Sequence, residues 1–75
     1  MKYTHDRIVR DSNVLGGKPC IRGTRITVQQ LLEDFADGMA AADVLAAYQQ
    51  LTEDDVRAAL AYAAEYMDHE GLLPA

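Results

Sequence analysis

The stretch GGKPCIRGTRIT, residues 16–27, gathers Lys18, Arg22 and Arg25, three of the seven basic side chains, with the only cysteine and three of the five glycines. Cations at that density can hold carboxylates or phosphates, and arginine does so with two parallel hydrogen bonds. A phosphate loop is not formed, because Pro19 rather than Ser or Thr follows Lys18 and no helix follows to lend its N-terminus. Cys20 has no histidine near it in sequence and falls in an expected strand, so it reads as a small buried hydrophobe rather than a nucleophile. His5-Asp6 and Asp68-His69-Glu70 are adjacent residues whose side chains diverge on a strand or helix, which makes them solvated surface instead of metal ligands. Glu53-Asp54-Asp55 fits the first turn of a helix, where carboxylates complement the dipole. These residue types assemble no catalytic, metal or cofactor site, and the expectation is a chain that is not an enzyme.

The elements that must carry the basic stretch are short. Arg7–Arg10 (RIVR) is β-prone, and Pro19 suits the start of a second strand. Gly23-Thr24 between Arg22 and Arg25 fits a two-residue type II′ hairpin turn, which would set the two arginines opposite each other and pair Ile21 with Ile26. From Thr27 the period becomes helical. Val28, Leu31, Leu32 and Phe35 form one stripe, opened by a Thr27/Gln30 capping box and stopped at Gly38. A second helix runs from Ala40–Ala41 to about Gln49 and buries Val44, Leu45 and Tyr48. A third starts at a Thr52/Asp55 capping box with the stripe Val56, Ala59, Leu60, Ala63 and Met67. Met39 and Leu51 plug the core from the connections. The fold class expected is mainly α: a short N-terminal β-hairpin followed by a three-helix, homeodomain-like bundle of the helix-turn-helix kind.

Seventy-five residues allow one domain, here residues 1–75, divided into a basic segment 1–27, a bundle 28–68 and a tail 69–75. Twelve of the apolar residues are alanines, which bury little area, so the core needs support. One cysteine gives no disulfide and two separated histidines give no zinc spacing, which leaves a partner chain as the support. Tyr62 and Tyr66 lie beside the third helix's stripe and widen its apolar arc, and Leu72 and Leu73 follow a helix-stopping Gly71. All four are expected at an interface, and a homodimer is the simplest form. No apolar run reaches membrane-spanning length and the N-terminus has no signal-peptide core, so the expected location is the cytoplasm.

The charge is uneven. Residues 1–27 carry six basic and two acidic groups (+4), and residues 28–75 carry one basic and ten acidic groups (−9). A reading helix would insert its first turn into the major groove, but here that turn holds Glu53, Asp54 and Asp55 with only Arg57 as a cation. Lys18, Arg22 and Arg25 are therefore better candidates than Arg57 for binding a nucleic acid or an acidic partner.

GGKPCIRGTRITV, LLEDFADGM and LTEDDVRAALAYAAEY together resemble the family known as domain of unknown function 433, from about Arg7 to Tyr66. The resemblance implies a bacterial or archaeal binding module, with a short β segment before homeodomain-like helices. Some family members are antitoxins of the VapBC type, encoded beside a PIN-like ribonuclease toxin. It further implies that Gly17, Lys18, Pro19, Gly23, Thr24 and Arg25 are site or scaffold. Family members commonly have Ser where this chain has Ala40, and Pro where it has Gln49, so Ala40 forfeits an N-cap. The function expected from the resemblance is neutralisation of a PIN-like ribonuclease by direct contact, with operator DNA as a further ligand. A DNA-binding regulator without a toxin and a structural dimerisation module stand as alternatives.

Overall fold

Ile8 and Ile21 face each other at the centre of the smallest possible sheet. β1 (Ile8–Val9) and β2 (Cys20–Ile21) run antiparallel, pairing Ile8 with Ile21 and Val9 with Cys20. The computed structural model describes residues 5–13 and 15–70; Leu72 and Leu73 lie outside them. Three helices follow: α1 (Val28–Ala36), α2 (Ala41–Ala47) and α3 (Glu53–Glu70). β2 is buried on both faces, because Ile21 enters the core while Cys20 bridges back to Thr27.

The turn after β2 differs from the expected one by a residue. Thr24 N–H donates to the Ile21 carbonyl at 3.0 Å, so the turn is Ile21–Thr24 and Gly23 is its third residue, at φ 79°. A type II turn asks for positive φ at that place. The Thr24 hydroxyl causes the shift: it donates to the Ile21 carbonyl at 2.8 Å and accepts the Ile26 N–H at 3.0 Å. A local side-chain bond of this kind outcompetes the tighter hairpin. Ile21 still pairs with Ile26, through a 2.9 Å bond from its N–H, but Arg22 and Arg25 become loop residues instead of a cross-strand pair.

Helix starts follow the caps. Thr27 accepts the Gln30 N–H at 2.9 Å, while the Gln30 amide turns to Asp34 rather than back to Thr27, so only half of that box forms. Gly38, at φ 98°, ends α1 with paired bonds from Gly38 N–H to the Phe35 carbonyl and Met39 N–H to the Asp34 carbonyl. At α3 the box is complete: Thr52 accepts the Asp55 N–H at 3.2 Å and Asp55 accepts the Thr52 N–H at 3.0 Å. α2 has the opposite half, with Asp43 accepting the Ala40 N–H at 3.0 Å and no side chain on Ala40 to reciprocate. It ends at Ala47, with Tyr48 as its cap, two residues before the expected Gln49.

The core centres on Leu31 and Val44, with Ile8, Ile21, Val28, Leu51, Val56, Ala58 and Ala59 around them. Three members of the expected stripes are exposed instead: Leu32, Leu60 and Met67. α3 packs against β1 and the turn at His5–Arg7 as well as α1 and α2. That second set of neighbours rolls it toward Ala58 and Tyr62, away from the side that carries Leu60 and Met67.

The α2 cap offers a direct check. Ala40 has extended cap geometry, φ −82° and ψ 163°, in which a hydroxyl would reach the orphan amides of the first turn. Ala40→Ser is expected to stabilise the protein by about 0.5–1 kcal/mol in thermal or urea unfolding; no gain would show that the first turn of α2 needs no such acceptor.

Candidate binding surfaces

Three of the basic side chains are committed to holding the N-terminal segment in place. Arg7 donates through Nη1 to Asp55 Oδ1 at 2.9 Å and lies 3.7 Å from Asp54. Arg22 donates its backbone N–H to the Arg7 carbonyl at 2.8 Å and its Nε to the Asp6 carbonyl. Arg10 Nε donates to the Gly17 carbonyl at 3.1 Å, which ties β1 to the glycine turn. The expected pairing of Arg22 with Arg25 is therefore replaced: Arg22 belongs to the strand contact, and Arg25 is grouped with Lys18.

Lys18 and Arg25 share a shallow groove of about 630 Å³ with Leu15, Ile26, Thr27, Gln30 and Tyr48. Their side chains have no hydrogen-bond or ion-pair partner among the described residues. Tyr48 donates its hydroxyl to Asp34 at 2.8 Å, and that bond, with burial, raises its phenol above the ordinary tyrosine value. One edge of the groove is formed by an unusual turn in which Leu15, Gly16 and Gly17 all have positive φ, at 51°, 67° and 84°. Glycine accepts this conformation freely, but leucine does not.

A second groove, of about 280 Å³, runs between α1 and α3 and is largely apolar. Tyr62 and Tyr66 line it, their rings stacked with centroids 6.5 Å apart, together with Val28, Leu32, Ala63 and Met67. Pro19 and Arg10 close the end nearest the sheet. The sequence singled out the two tyrosines but assigned Leu32 and Met67 to the core and gave Arg10 no role; the signal for Arg10 was only its position beside a strand. Arg57 lines a third groove with Phe35, Ala41, Leu45, Glu53, Val56 and Leu60, apart from the other predicted cations. Of the motif positions, Gly23 and Thr24 shape the loop, and Gly17 completes the left-handed turn. The carbonyl of Pro19 accepts the Val28 N–H at 2.9 Å, which fixes β2 to the start of α1.

Among the described residues no group of three or more His, Cys, Asp or Glu could hold a metal ion, and no helix is long and apolar enough to cross a membrane. Cys20 is buried, with its thiol on the Lys18 carbonyl at 3.3 Å.

A family model described as protein of unknown function (DUF433) matches residues 8–63. A crystal structure of a DUF433 member protein from Anabaena variabilis ATCC 29413 is similar to this chain with a TM-score of 0.75 and 36% identity. The match covers 85% of this chain and 66% of that one. No curated protein matches.

Asp55 gives the clearest pH dependence. Its partial burial pushes the carboxyl up, but the Thr52 amide, the Arg7 guanidinium and the Thr52 hydroxyl together outweigh that and hold it below the usual range. A carboxyl with a depressed folded pKa contributes stability that is complete above its unfolded value, about 3.8, and is lost as pH falls through the lower folded value. Arg7 is 39% exposed, so the pair is discounted to about 1 kcal/mol. A double-mutant cycle of Arg7→Ala and Asp55→Asn is expected to show that coupling near neutral pH and to lose it once Asp55 protonates. A coupling unchanged in strong acid would contradict the assignment.

Proposed function

The chain belongs to the DUF433 family, and from that premise we propose that it is a non-catalytic binding module whose α1–α3 groove docks a partner protein. One observation carries this reading: Leu32, Tyr66 and Met67, three of the largest exposed apolar side chains, converge on that groove over the stacked Tyr62. A core this small leaves little reason to expose them, and apolar clusters rimmed by polar groups mark interaction sites. Three of the twelve acidic side chains are committed to architecture, since Asp43 and Asp55 cap helices and Asp34 holds Tyr48. That supports binding over catalysis.

The partner implied by the resemblance is a PIN-like ribonuclease, with the chain acting as a cytoplasmic, antitoxin-like inhibitor that covers it. A second copy of the chain is a weaker occupant, because each copy brings a net charge of −5. Operator DNA is also less well supported. Arg7 offsets some of the charge at the start of α3, but Glu53 and Asp54 stay exposed there, and phosphates are repelled by such a turn.

Leu32→Glu combined with Met67→Glu tests the groove against a purified PIN-like ribonuclease, with one encoded next to this gene as the first choice of partner. The wild-type chain is expected to bind and inhibit it, and the variant to lose about tenfold or more in affinity with thermal unfolding preserved. Equal binding by the variant would refute the docking face. A wild-type dimer that the same substitutions dissolve would assign the groove to self-association instead.

A further inference from the structure

We propose that the Lys18–Arg25 groove is a second binding site, selective for a short peptide segment that carries both acidic and apolar residues. It is separate from the α1–α3 groove and stands whether or not that groove docks a ribonuclease. Two of the cations on the basic segment remain available to a ligand. Arg7 is bonded to Asp55, Arg10 to the Gly17 carbonyl and Arg22 to the Asp6 carbonyl. Lys18 and Arg25 have no such partner among the described residues, and both are exposed and line one groove.

The rest of the lining points to the kind of anion. Leu15 and Ile26 supply aliphatic surface, and Tyr48 adds a ring whose hydroxyl is already occupied by Asp34. The Asp34 carboxylate is met by two neutral donors, Tyr48 and the Gln30 amide at 3.3 Å, which satisfy its oxygens and leave Lys18 and Arg25 as the groups that face a ligand's carboxylates. Leu15 holds a left-handed backbone at φ 51° while the residue is 41% exposed. Such a backbone is unfavourable for leucine, and the side chain gains little burial in return. An exposed leucine held there beside two free cations is a surface suited to a ligand that is part apolar and part anionic.

Nucleic acid fits the same charges less well. Two phosphate contacts contribute a salt slope of only about −1.8, whereas duplex binders commonly make roughly six to ten. A long polyanion would also meet the −9 carried by residues 28–75. A peptide a few residues long stays within roughly a Debye length of the two cations and largely escapes that field. Two of its carboxylates gain a charge-assisted hydrogen bond, one from each cation, and its apolar residues gain Leu15, Ile26 and the Tyr48 ring.

The test uses the full chain labelled with ¹⁵N and titrated with the synthetic peptide acetyl-Asp-Leu-Glu-Leu-Asp-amide. Shifts are expected at Lys18, Arg25, Thr27 and Gln30, with the Asn-Leu-Gln-Leu-Asn counterpart binding about tenfold or more weakly. Lys18→Ala with Arg25→Ala should weaken the acidic peptide by about the same factor while the melting temperature stays unchanged. Leu15→Gly, which relieves the backbone, should raise the melting temperature yet weaken the peptide. Equal binding of the two peptides, an unaffected double variant, or no shift at millimolar peptide would overturn the proposal. So would a mixed-sequence DNA duplex that binds these residues more tightly than the peptide, which would make the groove a nucleic-acid site.

Discussion

The hydrogen bond from Arg7 to Asp55, spanning 48 positions of the chain, ties the N-terminal segment to the start of the longest helix. Asp55 is also the residue that completes the cap of α3, so one carboxylate both starts the longest helix and receives the N-terminal segment. From Arg7 the chain passes directly into β1, where Ile8 enters the core opposite Ile21. The Arg7 carbonyl holds Arg22, and the Pro19 carbonyl holds Val28. Once these are seated, Arg10 and Pro19 lie at the end of the α1–α3 groove, and Lys18 and Arg25 lie beside the first turn of α1.

This arrangement gives the uneven charge of the chain a physical meaning. The basic segment is laid against acidic helices, and part of its charge is used internally, as the Arg7 pair with Asp55 and Asp54 shows. Arg10 and Arg22 use their guanidinium groups as donors to backbone carbonyls in a region with little regular structure to supply partners. The sheet has only two residues per strand, too few to satisfy its own loops. Arginine side chains and the Thr24 hydroxyl do so in place of a longer ladder. What is left over is a pair of cations on one surface and an apolar cluster on another.

The helices were legible because their signals are local. Thr27, Gly38 and the Thr52–Asp55 pair act within a turn of themselves, and Val28, Leu31, Val44 and Val56 are buried where the period places them. The hairpin was legible in its Ile21–Ile26 pairing but not in its turn, because a glycine pattern does not show which way a neighbouring hydroxyl will bond. The roll of α3 was hidden for another reason: a stripe read from one helix assumes one set of neighbours, and α3 packs on the N-terminal turn and strand as well, with Ala58 buried. The site was half legible. Density of charge singled out Lys18, Arg22 and Arg25 together, but Arg22 is separated from the others by a backbone carbonyl, a partner that no side-chain pattern announces. The tyrosine pair was visible from its spacing, whereas Leu32 and Met67 joined it only through the packing.

The basic segment and the three helices form one cooperative unit, joined through Arg7 and the strand contacts, rather than a bundle with a loosely attached arm. Native-state hydrogen exchange measures this most directly. The amides of Ile21, Arg22 and Val28, which donate to Ile26, Arg7 and Pro19, report on the segment, and the amides of Ala58 and Ala59 report on the buried first half of α3. Both groups are expected to exchange only by global unfolding, with opening free energies that agree to within about 1 kcal/mol. Segment amides that open several kcal/mol more easily than α3, with α3 still protected, would contradict it.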